Sequence, residues 1–213
     1  MGGNRHPDGV RADAADATQL ASFEQAERVL ERFTAPVLLD EDKPEQRLFV
    51  ASFDGTGNSK RDAAKFTNIA LMDEQVRSYA RAAEDRLGYL PVHAGYVAGP
   101  GTQGGVSGMI DAAYGASYEA RIEDMYLQFA VQAQKWLIEN PGSDIRILAT
   151  GFSRGAEQAA GFTRLVEERG VQDPTDAVVK RNSDGLIIGQ VSYPNPPLRE
   201  PGTVVQAATL FDP

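Results

Sequence analysis

Short apolar runs alternate with longer segments of helical periodicity along most of the chain. Residues 47–53 and 144–150 are apolar runs that stop at turn residues, a pattern typical of buried strands. Residues 69–87 and 118–137 carry apolar side chains at intervals of three and four, which predicts amphipathic helices. This alternation predicts an α/β fold in which a mostly parallel sheet is covered by helices on both faces.

Further elements fit the same plan. Residues 89–97 and 203–211 are predicted as additional strands, and residues 154–168 are predicted as a helix. A shorter apolar run at residues 186–191 precedes a proline-rich segment. We see no internal repeat, so the strands and helices are expected to share one core.

The N-terminal part of the chain has a different character. Apolar spacing within residues 18–33 predicts one amphipathic helix, and the polar stretch 40–45 ends that unit. We therefore expect residues 1–46 to be an N-terminal extension with one helix, followed by a single domain over residues 47–213.

The composition argues against several functional classes. A net charge of −9 without a basic stripe argues against a nucleic-acid partner. The absence of cysteine excludes disulfides, thiolate metal sites and a cysteine nucleophile. No apolar run is long enough to cross a bilayer, and the N-terminus lacks the layout of a secretory signal. We expect no metal, no cofactor and no general export signal.

The segment Gly-Phe-Ser-Arg-Gly at residues 151–155 matches the G-x-S-x-G nucleophile elbow, in which a serine occupies a sharp turn between a strand and a helix. A predicted strand directly precedes it, and small residues compatible with a helix follow. This context predicts Ser153 as a nucleophile, whereas the alternative is a tight connection without chemistry.

An acyl-transfer site also needs N–H donors for the oxyanion. One is expected from Arg154, which follows the nucleophile, and the other from Gly55 or Thr56 in the turn after the first predicted strand. The other glycine and polar positions of this turn form the expected substrate loop: Asp54, Gly57 and Asn58. The side chain of Asp54 or of Asn58 could also brace the turn. The alternative is a plain turn at the end of a strand.

The third group is expected to be an acid at the end of a later strand, and Asp212 directly follows the run 203–211. In α/β-hydrolases the chain order is nucleophile, acid, histidine, so the base is expected beyond Asp212. The two histidines are His6, in the polar N-terminal stretch, and His93, in a predicted strand. His93 remains an unusual alternative base. The simpler interpretation is an incomplete N-terminal portion of an α/β-hydrolase-like domain, with the histidine supplied by a further segment or a second chain.

Residues 99–104 formally satisfy G-x-G-x-x-G, a dinucleotide-binding pattern. A proline within the turn and further glycines before the next helix fit that role poorly, and no ribose-binding acid stands out at the expected distance. The lysine-containing phosphate loop is absent as well. We therefore do not expect a nucleotide.

Five motifs occur in one order along the chain. They are FDGTGN at 53–58, TNI at 67–69, GPGT at 99–102, GFSRGA at 151–156 and LFD at 210–212. Together they resemble the catalytic domain of bacterial phospholipase effectors related to the first class of type VI secretion lipases. The resemblance extends from about Arg47 to the last residue, and the combination is far more specific than the elbow alone.

The resemblance implies a Ser-Asp-His phospholipase of the A type that hydrolyses a carboxylic ester of a membrane glycerophospholipid, with Ser153 as nucleophile and Asp212 as acid. It also implies delivery without a general signal peptide, a component of the secretion apparatus and an immunity protein as partners, and action at the envelope, in the periplasm, of a rival bacterium. The family histidine lies in a later Gly-rich segment that these residues lack. An esterase acting on soluble substrates and a non-catalytic binding or toxin module with the same fold are the alternatives.

Overall fold

The computed structural model describes residues 14–32, 34, 36–61, 66–102, 117–183 and 185–211. The helices are α1 (Ala17–Leu30), α2 (Asn68–Leu87), α3 (Tyr118–Glu139) and α4 (Arg154–Arg169), and the strands are β1 (Gln46–Phe53), β2 (Val92–Val97), β3 (Asp144–Phe152) and β4 (Val205–Phe211). None of the helices within these ranges is long and apolar enough to cross a membrane.

The chain separates into two compact units, Met1–Pro36 and Val37–Pro213. In the first unit, α1 begins with a capping box: Gln19 N–H donates to the Asp16 side chain, and Asp16 N–H donates to the Gln19 side chain. The predicted extension therefore contains its helix, although its predicted boundary at residue 46 stays a prediction.

The second unit is built on a four-stranded sheet with the order β2-β1-β3-β4. All three strand pairs are parallel, and β1 is paired along its whole length with β3, from Gln46 opposite Asp144 to Phe53 opposite Gly151. Parallel neighbours require crossover connections, which α2, α3 and α4 supply. The predicted α/β fold with a parallel sheet is confirmed.

The side chains of β1 alternate between two apolar cores. Phe49 and Phe53 pack with Phe129 of α3 on one face of the sheet, and Val50 packs with Ala80 of α2 on the other. Successive side chains of a strand point to opposite faces, so α2 covers one face while α3 and α4 cover the other. This arrangement confirms helices on both faces.

The structure defines two segments more closely than the sequence pattern does. The second strand begins at Val92 rather than at residue 89, because Pro91 has no N–H to donate to the ladder. The apolar run 186–191 makes only an isolated bridge between Arg181 and Ile187, and left-handed Gly189, with φ of 69°, interrupts its extended backbone.

Candidate active site at the carboxyl edge of the sheet

The strand order places a topological switch point between β1 and β3. The connection from β1 leads to β2 on one side, and the next connection crosses back over β1 to reach β3 on the other side. In parallel α/β sheets, ligands bind at such a switch point, outside the carboxyl ends of the strands. The predicted elbow follows β3 here, and the predicted substrate loop follows β1.

Ser153 occupies the turn between β3 and α4 in a backbone conformation that side chains rarely adopt. Its φ is 53° and its ψ is −127°, values that are sparsely populated by residues other than glycine. Hydrogen bonds on both sides hold it there: its N–H donates to Phe211 O at 2.9 Å, and its carbonyl accepts from Ala156 N–H at 2.8 Å. The side chain is partly exposed. These features are those of a nucleophile elbow.

The glycines of the motif are required by close backbone contacts. A Cβ on Gly155 would lie 2.7 Å from Asp54 O, and a Cβ on Gly151 would lie 2.7 Å from Ala156 N. Backbone atoms at such distances cannot move aside as a flexible side chain could. The G-x-S-x-G spacing therefore allows the start of α4 to pack directly on the end of β1.

The loop after β1 lies beside the elbow. A Cβ on Gly55 would approach Phe152 Cδ1 to 2.6 Å, and Phe152 directly precedes Ser153. The 99–101 segment packs on the same loop, since Gly57 N–H donates to Pro100 O at 2.8 Å. Three segments that are distant in sequence therefore meet at this edge of the sheet.

The side chain of Asp54, predicted in the substrate loop or as a brace of its turn, points into the protein. Its side chain is fully buried, and both of its oxygens accept hydrogen bonds. Oδ1 accepts from Gly55 N–H at 2.9 Å and from Thr67 Oγ1 at 2.8 Å, whereas Oδ2 accepts from the Tyr96 hydroxyl at 2.6 Å. Asp54 is an internal brace of the loop.

Among the expected oxyanion donors, Gly55 already donates its N–H to Asp54 Oδ1. Thr56 N–H makes no hydrogen bond within the described parts of the chain. Arg154 is the first residue of α4, at the end of the helix where the dipole favours negative charge. Thr56 and Arg154 therefore remain the candidate pair.

The comparison with protein families agrees with this geometry. Residues 47–182 match the family model described as "T6SS, Phospholipase effector Tle1-like, catalytic domain". The chain belongs to this family. No curated protein and no solved structure matches it. Membership supports a secreted phospholipase effector of the type VI secretion system that acts on a lipid substrate.

His93 of this Tle1-like domain lies far from Ser153, the predicted nucleophile. It pairs with Phe49, which pairs in turn with Ile147, six residues before Ser153. A rise of about 3.3 Å per residue places the two levels roughly 20 Å apart along the strands. His93 stacks on the Phe49 ring at 5.8 Å, and burial lowers its pKa, as do the nearby charges of Arg77 and Lys135. The structure therefore gives His93 a packing role and not that of the base.

The predicted acid Asp212 lies outside the described residues, as does His6. The last described residue before it, Phe211, is the one whose carbonyl accepts from Ser153 N–H. Within the described ranges, no group of three histidine, aspartate or glutamate side chains could hold a metal ion.

Sequence reasoning missed the polar side chains behind the loop of this effector domain. Tyr96 bonds Asp54 and accepts from Lys60 N–H at 2.9 Å, and burial together with the Asp54 bond raises the pKa of Tyr96 well above its ordinary value. The position of Tyr96 in β2 could have indicated this contact, because Tyr96 lies one residue before the strand end and opposite Ser52 of β1. The strand register that reveals it becomes known only with the fold.

Proposed function

We propose that this domain is a serine phospholipase of the A type, which cleaves a carboxylic ester of a membrane glycerophospholipid. The observation that carries the proposal is Ser153, held at φ 53° and ψ −127° at the N-terminus of α4 and at the switch point of the sheet. This turn presents a hydroxyl above the strand ends, where an acyl carbonyl can approach. The family match supports a phospholipid as the substrate.

In the proposed mechanism, Ser153 Oγ attacks the acyl carbonyl carbon while a histidine takes the hydroxyl proton. The N–H groups of Thr56 and Arg154 stabilise the oxyanion of the tetrahedral intermediate. Collapse breaks the ester bond, and the histidine returns its proton to the departing lysophospholipid oxygen. Water then attacks the acyl-serine by the same route and releases a fatty acid. Asp212 is assigned the role of orienting the histidine.

The histidine in this mechanism is proposed to come from a further segment or a second chain. The position of His93, the second residue of β2 and about 20 Å below the level of Ser153, argues against it as the base. The carbonyl that accepts from Ser153 N–H belongs to Phe211, so in sequence Asp212 directly follows a residue bonded to the nucleophile. This proximity supports Asp212 as the acid partner of such a histidine.

The biological role proposed here is that of an antibacterial effector. Membership of a type VI effector family supports delivery by the secretion apparatus, and we propose action on the envelope of a rival bacterium from the periplasm. A dedicated immunity protein is the proposed partner in the producing cell, because an enzyme that degrades the producer's own lipids must be restrained there.

The test is hydrolysis of phosphatidylethanolamine and phosphatidylglycerol vesicles by the full-length protein. Products are identified by mass spectrometry, and Ser153→Ala is compared with Ser192→Ala, an exposed serine outside the site. We expect fatty acid and lysophospholipid from the wild type and from Ser192→Ala, and a loss of at least 10³-fold in Ser153→Ala.

Other outcomes separate the alternatives. Equal rates for the wild type and Ser153→Ala would exclude the serine mechanism. Diacylglycerol or phosphatidic acid as the product would show cleavage at the phosphate and contradict the A-type assignment. Turnover of soluble short-chain esters without vesicle hydrolysis would indicate an esterase, and no turnover of either substrate would favour a binding module.

A further inference from the structure

The loop after β1 is fastened at two points to one buried carboxylate. Asp54 holds Gly55 N–H directly through Oδ1 at 2.9 Å. It holds Lys60 N–H indirectly, because the Tyr96 hydroxyl donates to Asp54 Oδ2 at 2.6 Å and accepts from Lys60 N–H at 2.9 Å. The segment between Gly55 and Lys60 is therefore tied to Asp54 at both ends.

A third bond links the same carboxylate to the start of α2. Thr67 Oγ1 donates to Asp54 Oδ1 at 2.8 Å and accepts from Ala70 N–H at 3.1 Å, which makes Thr67 both the N-cap of α2 and a ligand of Asp54. A hydroxyl that donates and accepts in this way has a fixed orientation. Hydrogen bonds therefore fix Asp54, which directly follows β1, relative to both β2 and α2.

Lys60 is also held through its side chain, in addition to its backbone N–H. Its ammonium lies 4.6 Å from the centre of the Tyr96 ring and 2.5 Å from Oδ2 of the fully buried Asp73 of α2. Arg77 Nε bonds the same oxygen at 2.9 Å. Lys60 is thus held through its backbone by Tyr96 and through its side chain by α2.

Thr56 lies inside the segment that these contacts hold. Its N–H makes no hydrogen bond within the described residues, while the neighbouring N–H groups are engaged: Gly55 with Asp54, Gly57 with Pro100 O and Asn58 with Gly55 O. Ser59 N–H likewise makes no hydrogen bond within these residues, but Thr56 directly follows Gly55, which packs against Phe152 of the elbow. A held loop with an unengaged N–H next to the elbow is the arrangement that an oxyanion donor requires.

We propose that Asp54, Tyr96 and Thr67 are positioning residues of the esterase site, which fix the Thr56 N–H for the oxyanion without touching the substrate. The inference rests on the proposed serine mechanism and deepens it. A fully buried carboxylate with both oxygens engaged fits the bracing role that the sequence offered for Asp54 better than a contact with a lipid.

The test uses Tyr96→Phe and the pair Thr67→Val and Thr67→Ser in the full-length protein. Tyr96→Phe removes the link between Asp54 and Lys60, and Thr67→Val removes the donor to Asp54 Oδ1, whereas Thr67→Ser retains it. The matched control is Tyr126→Phe, which loses a buried hydroxyl bonded to Gly170 O at 2.9 Å at the opposite end of α4.

The measurements are kcat, KM, the melting temperature and the inhibition constant of a trifluoromethyl ketone lipid analogue, whose adduct with the serine carries an oxyanion. We expect kcat to fall roughly 10- to 100-fold in Tyr96→Phe and Thr67→Val with KM within about twofold, because only the transition state needs the donor in place. The inhibition constant should rise by a similar factor. Thr67→Ser should restore most of kcat, and Tyr126→Phe should lower the melting temperature without changing kcat.

Three results would overturn the inference. One is an unchanged kcat in both Tyr96→Phe and Thr67→Val while activity still depends on Ser153. Another is a rise in KM at constant kcat, which would return these residues to substrate binding, and the third is a failure of Thr67→Ser to rescue. Should Tyr96→Phe not fold, the two Thr67 variants decide alone. Activity that survives Ser153→Ala would remove the serine mechanism itself, and the positioning role with it.

Discussion

Replacing the proposed nucleophile by glycine is expected to stabilise the protein relative to replacing it by alanine. Ser153 has a φ of 53° and a ψ of −127°, a region that costs a residue with a Cβ about 1–3 kcal/mol. Alanine keeps this cost, whereas glycine removes it but loses about 0.5–1 kcal/mol more in backbone entropy on folding. The balance favours Ser153→Gly over Ser153→Ala by about 1 kcal/mol.

The assay is urea unfolding of both variants, neither of which has the nucleophilic hydroxyl. A difference of 1 kcal/mol corresponds to about 2–4 °C in melting temperature for a protein of this size. Ser192 provides the matched control, because it is exposed and bridges Val178 in extended backbone. At this position the order of stability should reverse: Ser192→Gly should be about 0.5–1 kcal/mol less stable than Ser192→Ala. If Ser153→Gly is no more stable than Ser153→Ala, the elbow is not strained and the reasoning fails.

Two further predictions concern groups away from the nucleophile. His93→Gln should leave vesicle hydrolysis within about twofold of the wild type, because roughly 20 Å of strand separates the ring from the level of Ser153; a loss comparable to that of Ser153→Ala would make His93 the base. The hydrogen bond from Arg86, followed by that from Tyr79, lowers the Glu41 pKa from its ordinary 4.5 to about 2. A lowered folded-state pKa contributes stability above pH 4.5 that is lost as pH falls toward 2. The difference in urea midpoint between the wild type and Glu41→Gln should therefore shrink over that range, and a constant difference would contradict the assignment.

The sequence predicted the parts of the fold that local patterns determine. The apolar run before the GFSRG motif extends as β3 to Phe152, and the helix begins at Arg154, as the elbow requires. Gly88 ends α2 in the left-handed conformation, with φ of 75°. These features depend on residues next to one another in the chain, so a single sequence contains the information.

Contacts between distant segments were not predictable in the same way. Tyr96 meets Asp54 across 42 positions because Ser52 and Tyr96 are opposite one another in the β1–β2 register. The sequence shows the tyrosine but not the register, which depends on how both cores pack. The bond at Gly55 is more local, since the side chain of the preceding Asp54 accepts its N–H, but the turn pattern alone does not reveal it.

The position of the nucleophile depends on Asp54 through main-chain contacts as well as through its side chain. A Cβ on Gly155 would lie 2.7 Å from the Asp54 carbonyl oxygen, and a Cβ on Gly99 would lie 3.1 Å from the same atom. Both glycines therefore let their segments close onto the same carbonyl, while the carboxylate holds Gly55 and Thr67. Because the start of α4 packs on Asp54 O and the loop is held by Asp54 Oδ1, a shift of this residue would move Ser153 and Thr56 together. The geometry of the candidate site thus depends on backbone packing around one buried residue.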